Sequence, residues 1–250
     1  MKQAALLIAL LINLSFGSFG QKLLIAVSAN AQYAIREIAD SIERKENVPI
    51  ELVVGSSGKL AAQIEQGAPF HIFFSADMEY PQQLCKRGFG IGHARAYAFG
   101  SLVVWTLKSI PLTADMSFLK SNEIRKIALP NPKMAPYGKE AIKALKYWKI
   151  YEQIKDKIIL GESVSQVNQY ISLQTCDVGI TAKSVVYSSE LKRKGRWIEV
   201  PGAAYDLIAQ GVVILRRGRE EKSKDCEVLL NYVFSSEGKA VLKKHGFEVH

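Results

Sequence analysis

Apolar runs that end in small polar residues alternate along this chain with segments whose apolar residues recur at helical spacing. KLLIAVSAN (22–30) leads into AQYAIREIADSIERK, where Ile35, Ile38 and Ile42 share one helical face. PIELVVGSS (49–57) leads into GKLAAQIEQG, with Leu60 and Ile64 on one side, and HIFFSAD (71–77) repeats the pattern, with Ser75 or Asp77 placed to cap the next helix. Further along, SLVVWTL, IRKIALPN, IIL and DVGITA read as strands, and YGKEAIKALKYWKI and GESVSQVNQYISLQ as helices. AYDLIAQGVVILRR returns as a strand, and CEVLLNYVFSSEGKAVLKKHGF supplies one or two closing helices. Regular alternation of this kind predicts an α/β fold with mostly parallel sheets flanked by helices.

The β-rich runs near residues 101–106 and 209–215 read as crossings between two lobes. The expected division is residues 21–101 with 209–250 in lobe I and 102–208 in lobe II, leaving a cleft of the kind in which ligands bind. In open α/β sheets the ligand lies beyond the carboxyl ends of the strands, where the following helices begin. Four junctions qualify: SAN (28–30), GSSG (55–58), MAPYG (134–138) and ESV (162–164). They offer small or neutral residues and bare amides, and none places an arginine or lysine directly in its turn, apart from Lys59 just inside the second helix. Helix N-termini carry aligned amide donors and partial positive charge, so this set suits an anion held by neutral dipoles. Ordinary N-capping is the competing reading at each junction.

The remaining chemistry narrows the options. Met1–Gly20 reads as a secretory signal, a lysine followed by an apolar stretch and small residues at a cleavage site after Gly20, so the mature chain is expected in the periplasm. Removing that segment, which holds Lys2 and no acid, lowers the formal charge from +9 to +8. The basic residues are scattered, the densest run being ELKRKGRW (190–197), which reads as a loop; nucleic-acid binding is disfavoured. Cys85, Cys176 and Cys226 are far apart and odd in number, and neither they nor His71, His93, His245 and His250 show metal-ligand spacing.

SSGKLAAQIEQGAPFHIFFSAD (56–77), NPKMAPYGKEAI (131–142), GESVSQVNQY, DVGIT and GKAVLKKHGF stand in the order found in the molybdate-binding proteins of bacterial ABC importers, and the chain resembles that family over its mature length. The resemblance implies a two-lobed type II periplasmic binding fold, capture of molybdate or tungstate, delivery to an inner-membrane ABC permease, a monomeric state, and neither enzymatic activity nor a cofactor. Its ligand-binding positions are Asn30, Ser57, Tyr137 and Val164, the last two through backbone amides. They would hold the metal through the oxygens of the oxyanion and not by direct coordination. Two positions depart from the pattern: Ala182 stands where some members carry a tyrosine, and His71 where an aspartate is usual. A sulfate or phosphate receptor, or an exported enzyme acting on oxyanion esters, are the alternatives.

Overall fold

A computed structural model describes residues 22–250. The expected signal segment, residues 1–20, lies outside the described residues.

The chain runs β1 (Leu23–Ser28), α1 (Gln32–Glu46), β2 (Ile50–Gly55), α2 (Ser57–Glu65), β3 (Ile72–Ser75), α3 (Glu79–Lys86) and β4 (Arg95–Gly100). It continues through β5 (Leu102–Thr106), β6 (Ile127–Pro130), α4 (Pro136–Tyr147), α5 (Tyr151–Ile154), β7 (Ile158–Gly161), α6 (Val164–Ser172), β8 (Val178–Ala182), α7 (Lys183–Val186) and β9 (Arg196–Glu199). It closes with β10 (Ile208–Ile214), α8 (Arg216–Glu221), α9 (Ser223–Phe234) and α10 (Ser236–Lys244).

Two five-stranded sheets result, ordered β2-β1-β3-β10-β4 and β7-β6-β8-β5-β9. In each, three neighbouring strands are parallel and one strand is reversed: β10 is antiparallel to β3 and β4, and β5 to β8 and β9. The sheets are thus mixed, and the reversed strands are the two runs read as crossings. β4 and β9 are additions to the sequence reading. Both begin with an exposed arginine and lie at sheet edges, and β9 emerges from the basic run read as a loop.

Strand alternation places the core on both faces of the first sheet. Leu23, Ile25 and Val27 of β1 pack with Ile35, Ile38 and Ile42 of α1 and with Leu229, Val233 and Leu242 of α9 and α10. Ala26 turns to the opposite face, where it joins Leu60, Ile64, Phe73, Leu84 and Val213. Each fully buried isoleucine or leucine contributes about 1.5–3 kcal/mol, so these stripes hold α1 and α2 against opposite faces of β1. In the second sheet Val103, Leu129, Val178 and Ile180 pack against Leu145 of α4 and Val167 and Ile171 of α6. Cys85, Cys176 and Cys226 are free thiols. Among the described residues no helix is long and apolar enough to cross a membrane.

Candidate functional site

The four strand-to-helix junctions converge on one small cavity. It is lined by Ser28, Ala29, Asn30, Gly55, Ser56, Ser57, Ala76, Ala135, Pro136, Tyr137 and Val164, and has a cavity volume of about 10 Å³. Asn30, Ser57, Tyr137 and Val164 are all brought to it from separate elements, and each is at most 4% exposed. Ala76, just after β3, was not foreseen.

Local sequence explains why amides face the cavity. At the start of α1 the Ala29 amide bonds the Gly55 carbonyl and the Ala31 amide bonds the Ser28 carbonyl, which leaves the Asn30 N–H between them without an acceptor among the described residues. In α4, Pro136 occupies the first turn and supplies no donor, so Tyr137 presents the first N–H of the helix. Gly138 is required there, because a Cβ at that position would lie 2.0 Å from the Pro130 carbonyl oxygen. The Ser57, Tyr137 and Val164 amides likewise find no acceptor among the described residues. These are the unpaired donors that every helix start leaves over.

Side chains refine the picture. The Ser57 Oγ accepts the Ala76 amide at 2.9 Å, so its own proton remains available to an acceptor in the cavity. The Asn30 carboxamide is already engaged. Its Nδ2 donates to the Gln210 Oε1 at 2.7 Å and to the Tyr137 hydroxyl at 3.4 Å, so the group that Asn30 has to spare is its backbone N–H. Gln210, fully buried on β10, is fixed in turn by donating to the Ala76 and Ile208 carbonyls. Burial raises the Tyr137 phenol above its ordinary range, with Tyr205 adding to that and Asn30 and Gln210 opposing it, so the phenol stays neutral. Its oxygen occupies the space where a Cβ of Gly100 would stand, 1.9 Å away, at the crossing from β4 to β5.

No charged side chain of the described residues lines the cavity. Lys59 and Glu162 form an exposed ion pair with each other across the cleft. Further bridges join the same two faces: Gln32 donates to Ser165 at 2.9 Å, Tyr33 to Glu190 at 2.9 Å, the Gly58 amide to the Met134 carbonyl at 2.9 Å, and Ser184 to the Asn30 carbonyl at 2.8 Å. Burial and then Glu190 push the Tyr33 phenol up to about 12, which keeps its bridging proton in place at neutral pH. No cluster of His, Cys, Asp and Glu among the described residues could hold a metal ion directly.

His71 is absent from the cavity lining; its Nδ1 accepts the Leu24 amide at 2.8 Å behind the sheet, and burial holds its pKa down against the pull of Glu221. Asp77 caps nothing through α3's first residue but accepts the Tyr80 amide one residue further on, at 3.2 Å. Ala182 is buried at the end of β8, paired with Leu102, and does not line the cavity.

Comparison with known proteins accounts for this arrangement. The molybdate-binding protein ModA of Azotobacter vinelandii is 31% identical over 224 residues, covering 89% of this chain and 88% of that protein. The ModA of Rhodobacter capsulatus is 29% identical over 99% of this chain and 96% of that protein. The solved structure of the Azotobacter periplasmic molybdate-binding protein superposes with a TM-score of 0.86 at 26% identity, covering 92% of this chain and all of that one. Two mixed sheets flanked by helices, with a cleft between, are the type II periplasmic binding fold. Residues 23–248 match the profile of the bacterial extracellular solute-binding proteins, and the chain belongs to that family.

Proposed function

We propose that this protein captures molybdate or tungstate outside the cytoplasmic membrane and hands the ion to an ABC import permease. The observation that carries the reading is the convergence of four helix-start amides and the Ser57 hydroxyl on a buried cavity with no charged lining residue. A tetrahedral dianion without a proton is satisfied by donors alone. Hydrogen phosphate brings a proton that needs an acceptor, and a mismatched buried polar group costs about 1–3 kcal/mol. Sulfate is also proton-free, so its exclusion rests on size. The relatives named as molybdate-binding proteins support the larger ion.

In this reading Asn30, Tyr137 and Val164 bind through backbone N–H groups and Ser57 through its hydroxyl and amide. Residues 21–101 with 209–250 form one closing lobe and 102–208 the other, and the permease recognises the closed form. The protein acts as a monomeric receptor exported to the periplasm, not as an enzyme. No histidine, cysteine or carboxylate lines the cavity to serve as base or nucleophile.

Calorimetry of the mature chain against molybdate, tungstate, sulfate and phosphate tests the assignment. Tight binding of the first two with weak or no binding of the others is the expected outcome. Tight sulfate binding without molybdate binding would reassign the receptor, and turnover of a phosphate or sulfate ester would reassign its class.

A further inference from the structure

Two hydroxyl groups at the cavity remain without a role. Ser28, the last residue of β1, is 1% exposed and Ser56, the N-cap residue of α2, is 3% exposed; both line the cavity, and neither Oγ has a hydrogen-bond partner. Buried hydroxyls are almost always paired, so two orphans in one small space need a reason.

Ser56 is the more telling. A serine at an N-cap ordinarily accepts an amide from the first turn of its helix. Ser163 does so for α6, accepting Gln166, and Ser235 does so for α10, accepting Gly238. Ser56 makes no such bond, although its backbone is extended as a cap requires. Of the two first-turn amides that a cap at Ser56 could accept, that of Gly58 is taken by the Met134 carbonyl across the cleft at 2.9 Å, and that of Lys59, the counterpart of Gln166 and Gly238, is not bonded by Ser56. The serine thus caps nothing while staying beside the unpaired amide of Ser57. Ser28 lies beside the buried Tyr97 phenol, near enough to oppose the rise that burial gives the phenol's pKa, yet neither oxygen has a partner in full hydrogen-bond geometry.

We propose that Ser28 and Ser56 donate their hydroxyls to the bound oxyanion, joining the Ser57 hydroxyl to make a three-hydroxyl face on lobe I opposite the amides of Tyr137 and Val164. This rests on the oxyanion reading of the site. It deepens it, because the ion then takes most of its hydrogen bonds from one lobe, and that lobe can hold the ion before the other closes.

The test is calorimetry with molybdate and tungstate on the mature parent, Ser28→Ala and Ser56→Ala, together with melting of each in the absence of ion. Each substitution removes one hydrogen bond to a charged group, so each is expected to weaken binding roughly 10-fold or more. The ion-free melting temperature should stay level or rise, since an orphaned hydroxyl has been removed. Cysteine variants at the same positions, with a similar shape and a weak donor, should weaken binding in the same direction. Unchanged affinity in either alanine variant, with or without a lower ion-free melting point, overturns the proposal and makes that serine a structural residue. A parent that binds neither ion overturns the oxyanion reading itself, which the variants' behaviour relative to a binding parent cannot do.

Discussion

Helices α1, α2, α4 and α6, which begin at the cavity, have no acidic residue in the first turn, and of their N-cap residues only Ser163 caps by its side chain. Helices α3, α9 and α10 begin elsewhere and carry Glu79, Asp225 and Glu237 in their first turns, and α10 is capped by Ser235. An acid there favours the helix dipole by about 0.3–1 kcal/mol, and a side-chain cap contributes about 1 kcal/mol. The cavity helices thus forgo the first-turn acid that α3, α9 and α10 carry, an omission shared among the helices elsewhere by the short α7 and α8. What sets the four apart is that these acid-free starts are aimed at one point, which is the place the proposed oxyanion would take.

The strongest way to break that contrast is to supply the missing charge from the chain itself. Asn30→Asp sets a carboxylate beside the ion, and like charges about 4 Å apart repel by about 4 kcal/mol at an effective dielectric near 20, doubled for a dianion. Binding at neutral pH should fall below detection and partly return at acid pH. From sequence alone the substitution looks harmless to folding, but the Gln210 carbonyl, which accepts from Asn30 at 2.7 Å, would lose its donor. Chemical denaturation should therefore show a loss of about 1–3 kcal/mol as well. Normal molybdate binding by this variant would place the ion elsewhere.

Next in size is Ser57→Ala, read by calorimetry. Losing one hydrogen bond to a charged group, about 1.5–3 kcal/mol, corresponds to roughly 10- to 150-fold in affinity. Ser235→Ala should give the inverse result. With its cap on Gly238 removed, α10 loses about 1 kcal/mol, seen as a drop of about 2–4 °C in melting temperature, while affinity is untouched. If the two serines exchanged these phenotypes, the division between ligand-facing and ordinary helix starts would be wrong.

The smallest effect sharpens the contrast by pH. Amides and hydroxyls do not titrate near neutrality, so molybdate affinity should stay flat between about pH 6 and 9. Stability should not. Burial lowers the His71 pKa from its ordinary 6.5, so the unfolded chain takes up the proton first as pH falls. His71 therefore contributes stability that is fully present above about 6.5 and is lost as pH drops from there toward its folded pKa. Melting across that window, compared with the less titratable His71→Gln, isolates the contribution.

The repeated strand-to-helix pattern was legible because side-chain periodicity is local, and the four junctions followed because parallel α/β topology puts strand ends together. What escaped depended on partners distant in sequence. β9 hides in a basic run because an edge strand needs apolar residues on one face only, and its pairing of Trp197 with Trp105 is a tertiary fact. Gln210 is one polar residue in an apolar strand, and nothing near it in sequence points to Asn30, 180 positions away. Asn30 and Ser57 were found as positions, but that the asparagine's amide hydrogens are already committed while the serine's proton is not can be seen only once Gln210 and Ala76 are in place.

The bridges across the cleft are weak. Lys59–Glu162 and Lys139–Glu79 are exposed pairs, each worth at most about 1 kcal/mol and weakened by salt, and the neutral bridges from Gln32 and Ser184 are single hydrogen bonds. Bonds this weak cannot keep the jaws shut for long without the ion between them. The dwell time of the cargo is then governed chiefly by the ion's own grip, and a docking partner would shorten it by drawing the two sets of amides apart, not by breaking the surface contacts alone.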